Sequence, residues 1–112
     1  MLFRSETILG IGVRLQIQGE FPADEQKARL LMAAIRECAI NTVRHADGDE
    51  VQIILENDRN SLIATMTNNG LPPETTIREG GGLAGLRQRI ERIQGQMRIE
   101  SFPAFKIILR LP

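Results

Sequence analysis

The sequence predicts an α/β two-layer sandwich, a mostly antiparallel sheet of about five strands with helices on one face. Three observations carry that expectation. Ile11, Val13, Leu15 and Ile17 alternate with other residues, as in a strand with one buried face. Two later segments are helical in pattern, the second repeating apolar residues as Leu83, Leu86, Ile90 and Ile93. After each of these helices lie two short strand-like runs joined by turn residues, which suits hairpins.

In chain order, Gly19 to Asp24 forms a turn, and Asp24 is placed to cap a long helix running to about His45. Ala46-Asp47-Gly48-Asp49 ends that helix, with Gly48 suited to a left-handed conformation. Val51 to Leu55 and Leu62 to Thr67 form a hairpin about Asn57-Asp58-Arg59-Asn60. Pro72 and Pro73 stop the second strand from continuing past Asn68-Asn69-Gly70-Leu71. Glu74 to Gly82 is a polar, glycine-ended loop, and Gly95 stops the helix that follows. Met97 to Ser101 and Lys106 to Leu111 close the chain as strands around Phe102-Pro103-Ala104.

Residues 1–112 make one domain, enough for a single core. The 14 basic and 14 acidic side chains cancel, so any anion site must be local. No global field favours nucleic acid or an acidic membrane. Cys38 is the only cysteine, which excludes an intrachain disulfide and a cysteine zinc cluster and points to a reducing compartment. On the apolar side of its helix it reads as a small buried hydrophobe. No run approaches the ~18 apolar residues of a membrane span. The first residues lack a signal-peptide core. The expectation is a cytoplasmic domain without direct membrane contact, or one cut from a larger, membrane-anchored parent.

The long helix holds the most informative stretch, Arg36-Glu37-Cys38-Ala39-Ile40-Asn41-Thr42-Val43-Arg44-His45-Ala46. At about 100° per residue, Glu37, Asn41 and Arg44 fall within roughly 60° of one another. Leu31, Ile35, Cys38, Thr42 and Val43 take much of the opposite side. Carboxylate and amide oxygens are hard ligands for a divalent cation, and a nearby guanidinium answers phosphate. A solvated helix face would show the same stripe, so the spacing alone does not decide.

Two glycine segments add to it. Gly80-Gly81-Gly82-Leu83-Ala84-Gly85-Leu86 runs from loop into helix. Residues without Cβ let backbone N–H groups approach a ligand, and a helix start adds unpaired donors and a positive dipole end. Gly85 costs about 1 kcal/mol against alanine in a helix interior, which makes sense if something must pass close there. A plain hinge would explain the triple glycine but not Gly85. No Gly-Lys-Ser/Thr follows, so this is not a Walker A loop. Asn68-Asn69-Gly70 would suit a hairpin turn, but the prolines remove the partner strand, and a sharp bend against which a ligand can lie fits better.

Together and in this order, the three segments resemble the catalytic ATP-binding domain of sensor histidine kinases, in the GHKL (HATPase_c) superfamily. Arg36 to Ala46 looks like its N-box and Asn68-Asn69-Gly70 like its G1 box, usually Asp-x-Gly. Gly80 to Arg89 looks like the G2 box of the short-lidded branch. The resemblance implies a Bergerat-type fold, a mixed sheet backing three helices, with Mg-ATP under a lid at Leu71 to Glu79. It implies Asn41 as a Mg²⁺ ligand and Glu37 as a base-like or water-orienting carboxylate. Arg44 and His45 would face phosphates, although His45 also reads as a neutral helix-end residue. Gly80, Gly82, Leu83 and Gly85 would cradle phosphate, while Asn68 and Gly70 would meet the base.

Two departures weaken the adenine end. Asn68 stands where the family has an aspartate that accepts from the adenine amino group, a loss on the order of 1–2 kcal/mol for a neutral acceptor. Ala104-Phe105 stands where many relatives have Gly-Thr. The implied function is phosphoryl transfer from ATP to a histidine on a separate dimerisation helix, with a response regulator downstream. The chain lacks that phosphoacceptor region, so alone it should bind nucleotide without labelling itself. A degenerate interaction domain and an anti-sigma-type serine kinase are the alternatives.

Overall fold

The computed structural model describes residues 2–8, 10–21, 24–72 and 81–112. Strands β1 (Leu2–Ile8) and β2 (Ile11–Gln18) precede helix α1 (Glu25–Asn41), which continues as a π-helical turn at Thr42–Ala46. Then come β3 (Glu50–Asp58), β4 (Ser61–Asn68), α2 (Gly81–Arg92), β5 (Gln96–Glu100) and β6 (Lys106–Leu111).

One six-stranded sheet results, in the order β1-β2-β3-β4-β6-β5. Strands β2 and β3 are parallel, Val13 opposite Val51, whereas the other neighbours are antiparallel. A parallel neighbour needs a crossover, and α1 is that crossover, which sets it on one face of the sheet. The expected mixed two-layer sandwich is therefore present. The five expected strands are joined by β1, a polar stretch with Arg4, Ser5 and Glu6 whose apolar residues give no clean alternation.

The core lies between sheet and helices. Val51, Ile53 and Leu55 of β3, Leu62, Ala64 and Met66 of β4, and Ile107, Leu109 and Leu111 of β6 are buried. They meet Leu30, Ala34, Ile35 and Cys38 of α1 and Leu83, Leu86 and Ile90 of α2. Intervening strand residues such as Gln52, Ile54, Ile63 and Thr65 are not buried, so the sheet is covered on one side only. Phe105 is also in the core, so it serves packing.

Local signals act as read, with two shifts. Asp24 caps α1, its Oδ1 accepting from the Lys27 N–H at 3.1 Å. Arg59 and Asn60 both take positive φ, 52° and 71°, as a two-residue hairpin turn requires. After α1 the left-handed residue is Asp47, φ 51°, rather than Gly48. After α2 it is Gln94, φ 63°. There Gly95 N–H donates to Ile90 O and Gln94 N–H to Glu91 O, both at 2.9 Å, a Schellman closure. Gly95 is needed for space instead: a Cβ would lie 2.9 Å from Arg110 O.

Candidate functional site

The site begins where α1 changes pitch. The helix runs regularly to Asn41, and the π-helical turn from Thr42 inserts slack into the i→i+4 ladder. Thr42 is wholly buried, its Oγ1 donating to Cys38 O at 2.8 Å. Val43, expected on the apolar side, is 55% exposed, while Ala46 turns inward and is buried. Arg44 is exposed and pairs with no acid among the described residues. The Asn41 amide is oriented by the backbone: Nδ2 donates to Glu37 O at 3.2 Å, which leaves Oδ1 as the half available to a cation.

The bend after β4 is pressed onto this turn. Leu71 N–H donates to Ala46 O at 2.8 Å, and Asn69 N–H to Glu50 O at 3.1 Å. A Cβ at Gly70 would overlap the Ala46 carbonyl, so this glycine serves contact between two protein segments. Gly48 serves the same contact from the other side, its missing Cβ 2.9 Å from Gly70 N. Asn69, to which the sequence reading gave no role, is the fastener. Its Oδ1 accepts from the N–H groups of Asp49 and Glu50, each at 3.0 Å, and its Nδ2 donates to Asp49 Oδ1 at 2.7 Å. Its only sequence signal was an asparagine before a glycine, shared by any tight turn. Asn68 folds back, Oδ1 accepting from Gly70 N–H at 3.0 Å.

The start of α2 meets the other half of the N-box helix. A Cβ at Gly82 would overlap the Glu37 carboxylate, so the room freed by that glycine is taken by Glu37. Gly81 and Gly85 differ: among the described residues nothing lies within 4 Å of where their side chains would be. Leu83 is buried and anchors the helix start to the core. Gly80 and most of the expected lid, residues 73–79, lie outside the described residues, as does the side chain of His45.

Glu37 thus contacts the α2 start, and Ala46 contacts the bend. Nine residues separate them, about 13 Å at helical rise, although the π-helical turn shortens this somewhat. Two hollows among the described residues lie elsewhere. One of about 460 Å³ is bounded by Glu25, Arg29, Arg89 and Arg92 at the other end of the helix pair. The second, about 340 Å³, lies among Ile17, Phe21, Leu31 and the β3–β4 turn. Cys38 is buried and its thiol is pushed up to about 12 by desolvation, so it supplies no thiolate near neutral pH. No helix among the described residues is long and apolar enough to cross a membrane.

No family model matches the chain. Among curated proteins it is 30% identical over 80 residues to the sensor histidine kinase YxjM of Bacillus subtilis, covering 70% of this chain and 20% of that protein. It is 22% identical over 85 residues to the sensor histidine kinase DesK of Bacillus subtilis, covering 74% and 23%. The chain therefore spans about a fifth of the length of these relatives. Among solved structures, the histidine kinase AdeS of Acinetobacter baumannii superposes with a TM-score of 0.66 at 18% identity, covering 88% of this chain and 52% of that one. The histidine kinase domain of the blue-light-activated kinase EL346 of Erythrobacter litoralis gives 0.66 at 17% identity, covering 88% and 53%. In sequence the chain is thus similar to sensor histidine kinases, and in fold to histidine kinase domains.

Proposed function

We infer that the chain is the Mg-ATP-binding catalytic domain of a two-component sensor histidine kinase, supplying the γ-phosphoryl group to a histidine on a separate helix. The observation that carries this reading is that the bend after β4 and the start of α2, distant in sequence, both pack along the C-terminal half of one helix. Glu37 lies against Gly82, and Gly70 lies against Ala46.

The residues present fit the groups such a site must hold. Asn41 offers an amide oxygen to a hard cation, with its nitrogen already committed. Among the described residues nothing crowds Gly81 or Gly85, and the unpaired N–H groups of the first turn of α2, Gly81 among them, can meet phosphate oxygens. Arg44, exposed and unpaired among the described residues, adds positive charge. Mg²⁺, if bound, would be held by Asn41 and would neutralise charge developing on the transferring phosphoryl group. Glu37 orients the attacking group, and Asn41 and Arg44 hold the triphosphate. Gly80, His45 and the lid belong to the same reading through the motif match alone. The partners would be ATP, the dimerisation and phosphoacceptor helix of the parent kinase, and a response regulator, in the cytoplasm.

Incubation with γ-labelled ATP tests it. The chain alone stays unlabelled, and acid-labile label appears on an added phosphoacceptor helix. Stable label on the chain itself, or acid-stable phosphoserine on a partner, contradicts it. A second reading, a weakly binding interaction domain, is favoured by Phe105 being core and by Glu37 filling the room beside Gly82. Absent or millimolar Mg-ATP binding would leave that reading standing.

A further inference from the structure

Asn68 is the last residue of β4, on the side of the strand from which Leu62, Ala64 and Met66 enter the core. Its side chain therefore stands one step beyond buried Met66, on the helix-covered side, where the core ends beside the π-helical turn. It is half-buried.

The amide is not free to turn. Gly70 N–H donates to Asn68 Oδ1 at 3.0 Å. An N–H can meet only an acceptor, so the oxygen is committed to the bend and the –NH₂ is the edge left over. Among the described residues nothing accepts from that –NH₂. An aspartate in this place would accept from Gly70 with one oxygen and still present a second acceptor. Asn68 presents a donor.

Resting on the nucleotide reading above, we propose that Asn68 inverts the base preference of the site, which takes a purine carrying a carbonyl oxygen at C6 ahead of one carrying an amino group. A C6 oxygen accepts from Asn68 Nδ2. A C6 amino group sets donor against donor, and in a half-buried place each is left without a partner. Phe105 adds no hydroxyl to compensate, because it is in the core.

Mg-ITP and Mg-ATP are the probes, since their bases differ at C6 and at the adjoining N1 proton; Mg-GTP adds only the 2-amino group to ITP. By calorimetry the wild-type chain should bind ITP roughly tenfold more tightly than ATP. Asn68→Asp, which still accepts from Gly70, should reverse the order, with thermal melts showing both proteins folded. ATP binding more tightly than ITP to the wild type overturns this inference alone, as does an order unchanged by Asn68→Asp. Absence of Mg-dependent binding of all three overturns the nucleotide reading and this inference with it.

Discussion

The Glu37 carboxylate sits where a side chain on Gly82 would be. One residue lies in the C-terminal half of the long helix and the other in the first turn of α2, so this contact joins the two helices beside the candidate site. The carboxylate is the far end of a flexible side chain, whereas the neighbours of Gly70 and Gly95 include fixed backbone. That difference gives glycines that look alike in the sequence opposite expected responses to substitution.

Gly82→Ala should leave the fold intact. Glu37 swings aside, and alanine is favoured over glycine by about 1 kcal/mol in a helix. The melting temperature is expected to hold or rise by a few degrees. Mg-dependent nucleotide affinity should fall about tenfold or more as Glu37 leaves its seat. A large drop in melting temperature would show instead that the carboxylate is wedged in place.

Gly70→Ala should destabilise, because the new methyl meets the Ala46 carbonyl and cannot push it away without unseating the π-helical turn. The expected loss is about 1–3 kcal/mol. That corresponds to a melting temperature lower by roughly 4–8 °C per kcal/mol. Gly85→Ala, with none of the described residues within 4 Å, is the control and should melt no lower than wild type.

Asn69→Ala removes the fastener between the bend and the start of β3. It loses contacts of 3.0, 3.0 and 2.7 Å at once. Because the region is exposed and water can replace part of what is lost, urea unfolding should show a loss of about 1–3 kcal/mol. Asn69→Asp keeps the acceptor but faces Asp49 with a second carboxylate, so it should not rescue the stability. Full stability in both variants would remove Asn69 from this role.

Cys38 gives a pH signature. Its folded thiol is pushed up to about 12 from an ordinary value of 9.0 by burial. The unfolded chain therefore releases this proton first as pH rises, so stability falls from about pH 9 upward, until the folded thiol titrates too. Cys38→Ala should flatten that fall in urea titrations at pH 8 to 10. Alkylation of the native protein at pH 8 should proceed only as fast as it unfolds.

Periodicity made much of this legible. Burial on one strand face is visible in Val51, Ile53 and Leu55, and the Asp24 cap is local chemistry. Val43 shows the limit: it lies opposite Glu37, Asn41 and Arg44, yet at 100° per residue it is already about 100° beyond buried Thr42, outside the stripe that meets the core. Strand β1 was missed because its pairing with β2 is a tertiary fact and its sequence has no clean alternation. At the site, the motifs named the segments but not the use of each glycine. Whether a missing Cβ faces none of the described residues, as at Gly85, or makes room for a neighbour, as at Gly82, depends on what the fold brings near.

Calorimetric titration with Mg-ATP, repeated with EDTA and with Asn41→Ala, bears most directly on the central claim that metal and triphosphate lodge between the N-box helix and the start of α2. Micromolar affinity that is lost on chelation and lost in Asn41→Ala, with unchanged melting of the variant, is the predicted result. Affinity indifferent to both magnesium and Asn41, or no binding at all, would contradict it.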